Sequence, residues 1–196
     1  MTTDARWVVG IDPSLTSTGM AIVDALSGTS YTAAVTSSGK KTDTLTMQSE
    51  RIRDLTDRIC DYVRAANPAL VVIESATFST RSDTSAHRRA GLWWSVVNEL
   101  IADSVPVVML SPGEVKKFAT GKGNAGKDAM VARAATTWGE DTLGTNINDI
   151  ADALFLATAG SFGLGYPVVL SETSYRADIA RRLAEQIDTT PAKEAP

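Results

Sequence analysis

Two acidic residues directly follow apolar runs, where a charged side chain is unexpected. Asp12 follows the run 7–11 (WVVGI), and Glu74 follows the run 69–73 (ALVVI). Both runs predict buried strands, and carboxylates are rarely buried without partners. One interpretation is a chemical site at the edge of a sheet. The other is an acid in a turn or a helix cap, and for either residue alone the two interpretations are equally good.

A second acidic feature is the segment NINDIADALFLA. Asp149 and Asp152 are three residues apart on a predicted helix, so their side chains project from the same face. That face adjoins an apolar stripe that includes Leu156, where two acids reduce stability unless a cation neutralises them. The alternative is a pair of first-turn acids favoured by the helix dipole, with Asn148 as the cap.

The four acids are more informative together than singly. They converge if the first and fourth strands are neighbours in the sheet. Carboxylate oxygens are the ligands that Mg²⁺ and Mn²⁺ prefer, and two such ions about 3.5–4 Å apart can stabilise both the attacking and the leaving oxygen in phosphodiester hydrolysis. The only histidine, His87, has no Ser-His-Asp or Cys-His set around it in the sequence, so we expect direct hydrolysis without a covalent protein nucleophile.

Five strands and a series of helices would position these acids. The predicted strands are 7–11, 19–23, 31–35, 69–73 and 106–110. The predicted helices are 44–66, 85–102, 114–119, 127–138 and 148–162. Because the first three strands are close in sequence, an antiparallel meander is the economical pairing. The pattern predicts an α/β fold with a mixed five-stranded sheet, three antiparallel strands followed by parallel strands, flanked by helices.

The C-terminal part of the chain has a different pattern. We predict one domain over residues 1–162 and a C-terminal extension over 163–196. Within the extension, 166–170 fits a short strand or an extended arm, and 177–187 fits an amphipathic helix. The final segment, TTPAKEAP, has the composition of a disordered tail.

Composition excludes several classes of protein. A length of 196 residues suits one domain, and 43% hydrophobic with 21% charged residues is ordinary for a soluble globular protein. No apolar run approaches the roughly 20 residues that span a bilayer, and the N-terminal segment lacks the features of a signal peptide. The single cysteine, Cys60, excludes an internal disulfide and a four-cysteine zinc site. We expect a cytoplasmic protein with no membrane partner.

The charge distribution leaves two interpretations open. The net charge is −4, but the segment from Arg81 to Arg133 contains eight basic and five acidic residues, a net charge of +3. The rest of the chain therefore carries −7. A basic patch on an acidic body fits a nucleic-acid enzyme whose site is built from carboxylates, and a solvated mixed-charge surface fits equally well.

Four segments carry a resemblance to a known family: GIDPSLTSTGMAIVD, VVIESATFS, SPGEVKKFATGKGNAGKDAMV and NDIADALFLATA. They resemble the successive signatures of the RuvC family of Holliday junction resolvases, in family order, over about residues 7–160. The resemblance implies a ribonuclease-H-like fold and a homodimer that nicks two strands of a four-way or branched DNA junction. It also implies two Mg²⁺ or Mn²⁺ ions per active site, held by the catalytic acids Asp12, Glu74, Asp149 and Asp152. The divergence and the long tail are compatible with a phage-encoded member.

The resemblance also suggests where DNA is contacted. Phe78 would be the aromatic residue that stacks at the junction centre, although it stands one position later than the family pattern. The segment 121–127 (GKGNAGK) resembles a P-loop but has Asp128 where that motif needs a hydroxyl. We interpret it as a glycine loop that approaches DNA phosphates, and a flexible solvated turn is the alternative. The predicted basic DNA contacts are Arg81, Arg88, Arg89, Lys116, Lys117, Lys122 and Lys127.

Other positions complete the expectations. Ser14 stands where the family usually has glycine, so a positive φ there would be strained. Cys60 and Trp93 are predicted core residues. Trp94 lies off the apolar stripe of its helix, which makes it either exposed or part of a dimer interface, and by the family resemblance this helix is the candidate interface.

Two other functions share parts of this pattern. An ATPase of the actin and sugar-kinase superfamily has the same fold and an Asp after its first strand, but needs two such domains around the nucleotide. A non-catalytic DNA-binding module could have kept the fold, although it would not need all four acids. The sequence gives no indication of a helicase partner.

Overall fold

A mixed five-stranded sheet forms the centre of the computed structural model, which describes residues 6–76 and 85–188. The strands are β1 (Trp7–Asp12), β2 (Ser17–Asp24), β3 (Ser30–Thr36), β4 (Leu70–Glu74) and β5 (Val107–Leu110). The helices are α1 (Leu45–Ala66), α2 (Ala86–Ala102), α3 (Pro112–Thr120), α4 (Lys127–Trp138), α5 (Ile147–Gly163) and α6 (Ser174–Asp188). A short 3-10 turn at Glu140–Leu143, which the sequence pattern did not predict, connects α4 to α5.

The strand order is β3-β2-β1-β4-β5. The first three strands pair antiparallel, and β1, β4 and β5 run parallel. The predicted mixed sheet is therefore confirmed, and so is the condition that the first and fourth strands are neighbours. In the register of β1 and β4, Ile11 lies opposite Ile73. Asp12 and Glu74 follow these two residues, so both acids end their strands at the same edge of the sheet.

Each face of the sheet is covered by a separate apolar core. Side chains such as Val9 and Val71 point from the sheet toward α1 and α2. Side chains such as Val8 and Val72 point to the other face, where α3, α4, α5 and α6 pack. This alternation follows from the period of two residues along a strand. The predicted core residues Cys60 and Trp93 are buried on the α1 and α2 face.

Some local expectations differ from the structure. Residues 166–170 do not form the strand that was one of the two predictions for this segment. They connect α5 to α6, with bends at residues 169 and 170. Helix α6 is longer than predicted, and residues 189–196 lie outside the described part of the chain. Ser14 is not among the described residues with positive φ, so the expected strain in its loop does not arise. Instead, the Ser14 amide donates to Thr18 Oγ1, and the Thr18 hydroxyl donates to the Ser14 carbonyl.

Helix α5 crosses β1 and β2 at unusually short range. A Cβ atom added to Gly10 would lie 2.0 Å from the Ala153 carbonyl oxygen, and one added to Gly19 would lie 2.0 Å from the Asp149 carbonyl oxygen. Both neighbours are backbone atoms, which cannot rotate away. Glycine at these two positions is therefore required for the distance between α5 and the sheet.

No helix in residues 6–76 and 85–188 combines the length and the apolar character that crossing a membrane requires.

The close approach gives a stability prediction. We expect Gly10→Ala to lower the free energy of unfolding by about 3 kcal/mol, the upper part of the range for overpacked cores, because the new methyl meets backbone. Urea unfolding followed by circular dichroism measures the change. Gly91→Ala in α2 is the control, since its nearest neighbour would be Ile52 Cδ1 at 3.7 Å and alanine favours helix. Equal stability of the two variants would contradict the prediction.

Candidate metal-binding active site

One pocket brings together all four acids that the sequence analysis selected. It lies at the carboxyl ends of β1 and β4, beside the first turns of α5. Its lining residues are Asp12, Glu74, Pro112, Lys116, Lys127, Met130, Asn148, Asp149 and Asp152. Residues more than 130 positions apart in sequence thus share one site.

The sheet positions Asp12 and Glu74. Both are the last residues of parallel neighbouring strands, so their side chains leave the same edge. The Glu74 carbonyl accepts a 2.8 Å hydrogen bond from the indole nitrogen of Trp93 in α2. On the other side of Glu74, the Ser75 amide donates to the Leu110 carbonyl of β5. The backbone of Glu74 is therefore fixed from both sides.

Helix α5 positions the other two acids. Asp149 lies in its first turn, and its carbonyl oxygen is held against Gly19, the residue paired with Asp12 in the β1–β2 ladder. Asp152 follows one turn later and is half-buried between the buried residues Ala151 and Ala153. The alternative interpretation, in which Asn148 caps the helix, does not hold, because α5 begins at Ile147 and Asn146 takes the N-cap position. Asn148 instead lines the pocket, a role that its position before an Asp did not indicate.

The pKa values of three acids are raised by the environment of the pocket. Burial, followed by the charges of Glu74, Asp152 and Asp149, raises the pKa of Asp12 well above its usual range. Burial and then the charge of Asp152 raise the pKa of Glu74 to about 7, and Lys116 opposes this shift. The pKa of Asp152 rises to about 6, mainly through burial. Each ionised carboxylate therefore destabilises its neighbours.

This donor set fits a hard divalent cation. Oxygen ligands without sulfur or imidazole suit Mg²⁺ and Mn²⁺ rather than zinc or copper. A cation would offset the repulsion between carboxylates, which adds to the effect of burial on the pKa values. Within the described residues, no three acidic, histidine or cysteine side chains are grouped so as to hold a metal ion by themselves. A Mg²⁺ ion does not require such a group, because it keeps several water ligands and takes one or two protein carboxylates.

Two lysines belong to the pocket rather than to a separate basic surface. Lys116 in α3 and Lys127 at the start of α4 both line it. Their charges act against the raised pKa values of Asp12, Glu74 and Asp152. Lys117 and Lys122, predicted in the same group, are exposed and do not line this pocket. Sequence reasoning treated all four lysines alike because only the fold separates them.

Two further residues predicted to contact DNA, Arg88 and Arg89, do not line this pocket. Arg88 and Arg89 are half-buried near the start of α2, where Arg89 Nη1 lies 3.4 Å from Ser85 Oγ. Phe78 and Arg81 fall outside the described residues. In the glycine loop, Gly121 ends α3 with φ of 82°, and its amide donates to the Lys117 carbonyl. This first glycine therefore has a structural role as a helix cap.

Comparisons with known proteins identify the family of this chain and its fold. The model of the family "Crossover junction endodeoxyribonuclease RuvC" matches residues 8–159. The RuvC protein of Corynebacterium diphtheriae is 30% identical over 149 residues, which is 76% of this chain and 90% of that protein.

Two solved structures are also similar. Thermus thermophilus RuvC has a TM-score of 0.64 at 23% identity, covering 82% of this chain and 97% of its own. The same protein in complex with a Holliday junction substrate has a TM-score of 0.62 at 23% identity, covering 78% of this chain and 90% of its own. These likenesses confirm the predicted ribonuclease-H-like fold.

The raised pKa values give a prediction about stability. When a carboxyl group has a higher pKa in the folded state than in the unfolded state, the folded protein becomes less stable as the pH rises between the two values. Near pH 7 and without divalent metal, we therefore expect Asp12→Asn to raise the melting temperature by about 2–4 °C, which corresponds to about 1 kcal/mol for a chain of this size. The advantage should shrink toward pH 4, where the wild-type acid is protonated.

Differential scanning fluorimetry in EDTA between pH 4 and pH 8 measures this effect. Asp54→Asn is the control, because Asp54 is an exposed residue of α1 paired with Arg58. Added Mg²⁺ should then stabilise the wild type more than Asp12→Asn, since ligand binding to the folded state raises its stability. A lower melting temperature for Asp12→Asn than for the wild type, at pH 7 in EDTA, would contradict the claim that ionised Asp12 destabilises the metal-free pocket.

Proposed function

The chain belongs to the RuvC family of crossover junction endodeoxyribonucleases, and on this premise we propose that it resolves four-way DNA junctions as a Mg²⁺-dependent homodimer. The observation that carries the proposal is the single pocket formed by Asp12, Glu74, Asp149 and Asp152 at the edge of a ribonuclease-H-like sheet. Related branched DNA is included in the proposed substrate class. A cytoplasmic location remains a prediction.

The four acids are the proposed ligands for two Mg²⁺ ions, and Mn²⁺ has the same ligand preference. When bound, the ions supply stabilisation of negative charge on the attacking and leaving oxygens of the scissile phosphate. The protein contributes the placement of these carboxylates, since the ends of β1 and β4 and the first turns of α5 bring them to one pocket. Sites built on such elements are positioned more accurately than sites on loops.

Lys116 and Lys127 have a proposed role toward the DNA. A phosphate group and four carboxylates repel one another, and two ammonium groups in the same pocket reduce that repulsion. They also provide donors for phosphate oxygens where negative charge develops during hydrolysis. The exposed residues Lys117 and Lys122 lie on the same segment of the chain and are proposed to contact the DNA backbone outside the pocket.

The pocket favours water over a protein side chain as the nucleophile. Its described lining residues include no serine, threonine, cysteine or histidine, and the side chain of His87 is exposed on α2. Direct hydrolysis therefore needs no covalent intermediate with the protein. The two alternatives from the sequence, a kinase-like ATPase and a non-catalytic DNA-binding module, have no support from the comparisons.

The central test is cleavage by Asp12→Asn. We expect the rate of nicking of a four-way junction in Mg²⁺ to fall by about 1,000-fold or more, because losing several kcal/mol of charge stabilisation corresponds to a factor of ten for each 1.4 kcal/mol. Junction binding measured by fluorescence anisotropy should persist, since the substitution removes one negative charge beside the phosphate. A panel of junction, flap and duplex substrates defines the specificity.

Asp54→Asn serves again as the matched control and should cleave as the wild type does. Undiminished cleavage by Asp12→Asn would reject the assignment of the site. Equal cleavage of linear duplex and junction by the wild-type protein would reject the proposed substrate class.

A dimer is proposed because a four-way junction has two strands to cut, which a two-fold symmetric enzyme can reach together. The candidate interface is α2, where the Trp94 side chain is 56% exposed. Trp94 packs edge-to-face on Trp93, with ring centroids 4.8 Å apart, and Trp93 donates to the Glu74 carbonyl. An interface at Trp94 would therefore be linked to the pocket residue Glu74 through the side chain of Trp93.

Substitution of Trp94 tests the interface. We expect Trp94→Glu to weaken the dimer at least about 30-fold, because a central interface tryptophan typically contributes 2 kcal/mol or more. Light scattering and sedimentation equilibrium measure the association. Leu45→Glu, at an exposed apolar residue at the start of α1, should leave the association unchanged. A wild-type protein that is monomeric both free and on junction DNA would defeat the proposal.

A further inference from the structure

Helix α6 lies beyond the segment 8–159 that the family model matches, yet it packs against α5, α3 and β5. Its side chains Ile179 and Leu183 are fully buried in the same core as α5. At the end of α5, a Cβ atom on Gly163 would lie 2.9 Å from Leu183 Cβ, so the two helices are in close contact. The described part of the C-terminal extension is thus anchored to the nuclease fold.

One arginine of α6 donates hydrogen bonds to backbone carbonyls at the C-terminal end of α3. Arg176 is only 3% exposed, and its guanidinium donates to the carbonyls of Phe118 at 2.9 Å and Ala119 at 3.2 Å. A third bond reaches the Ser171 carbonyl at 2.7 Å. The last carbonyls of a helix have no partner within the helix, and a cation is favoured there by the helix dipole. Arg176 therefore fixes the end of α3 while remaining buried itself.

A second arginine of α6 contacts the N-terminal end of α3. Glu114 forms a capping box with Ser111, whose amide and hydroxyl donate to Glu114 Oε2 at 2.8 and 2.6 Å. The other carboxylate oxygen of Glu114 pairs with Arg182 of α6. Burial alone would raise the pKa of Glu114, but the bonds from Ser111 and the charge of Arg182 outweigh it and hold the pKa below its usual range. The pair is therefore ionised at neutral pH.

A third contact holds α6 against the strand that leads into α3. Gln186 accepts from the Met109 amide at 3.0 Å and donates to the Met109 carbonyl at 3.2 Å. Met109 belongs to β5, the edge strand of the sheet, so one side-chain amide takes the place of a neighbouring strand. The end of β5, Leu110, lies opposite Glu74 in the sheet.

These contacts surround a helix that is too short to hold its own position. Helix α3 has nine residues, and helices of that length are marginal without tertiary support. It carries Lys116 into the acidic pocket on one side and buries Val115, Phe118 and Ala119 on the other. The three contacts from α6 fix its two ends and the strand before it.

We propose that α6 is a positioning element of the active site: it fixes α3 so that Lys116 faces the acids, and Arg176 is its main positioning residue. The inference rests on the proposed function insofar as Lys116 acts in DNA cleavage. The competing explanation is that α6 only stabilises the fold as a whole. The two explanations differ in whether the effect of Arg176 passes through Lys116.

A double-mutant cycle separates them. We expect Arg176→Ala to lower the single-turnover cleavage rate at saturating junction by about 10-fold to 100-fold, the scale of a small misplacement in an active site. In a Lys116→Ala background, the same substitution should cause little further loss. Arg176→Lys, which keeps the charge and can reach one carbonyl, should recover part of the rate. An equal loss in both backgrounds, or no loss in either, would overturn the proposal.

Arg64→Ala is the matched control. Arg64 also joins elements through several partners, since it contacts Asp61, Glu99 and Asp103 between α1 and α2. It lies on the opposite face of the sheet, so its loss should leave the cleavage rate within about 2-fold of the wild type. If Arg176→Ala does not fold, Arg182→Ala replaces it in the same cycle, because Arg182 is substantially exposed.

Hydrogen exchange provides a readout independent of activity. Arg176→Ala should speed amide exchange in α3 at least about 10-fold while α1 keeps its protection, since local opening follows the loss of local contacts. Uniform acceleration across the chain, or unchanged exchange in α3, would overturn the positioning role. If Lys116→Ala cleaves normally, the route through Lys116 is wrong, whereas the nuclease assignment itself depends on Asp12→Asn.

Discussion

The repulsion among four carboxylates at one edge of the sheet is the interaction that the rest of the site must compensate. Lys116 and Lys127 compensate only in part, since burial together with the neighbouring acids still keeps the pKa of Glu74 near 7 and that of Asp152 near 6. A DNA phosphate would bring further negative charge into the same pocket. Cation binding and DNA binding are therefore expected to favour each other, since each ligand reduces the unfavourable charge that the other meets.

The crowding of the acids depends on a steric condition in the backbone. Helix α5 can bring Asp149 and Asp152 beside Asp12 only because Gly10 and Gly19 allow it to lie directly on β1 and β2. Gly10 lies against the backbone of Ala153, and Gly19 lies against the backbone of Asp149. Their effect is to set the distance between two carboxylate-bearing elements, so packing in the core determines the electrostatics of the pocket.

The sequence predicted that the four acids come together, and they share one pocket. It did not predict which lysines join them there, and the reasons are physical. Strand ends can be located from apolar runs, and neighbouring strands bring Asp12 and Glu74 to one edge. Lys116 and Lys127 could not be distinguished from Lys117 and Lys122, because which side of a short helix faces a pocket depends on tertiary packing. The helical pattern in the C-terminal extension was visible, but its docking was not.

This division has a structural cause. The acids lie on the sheet and on α5, which are held by the two apolar cores, whereas the pocket lysines lie on shorter helices at the periphery. Displacing α3 by a small amount would leave the four carboxylates in place and remove one of the two cations that moderate them. The position of α3 is maintained by contacts that Arg176, Arg182 and Gln186 make from outside the family-matched segment. The charge balance of the site can therefore change through α6 while the acids keep their positions.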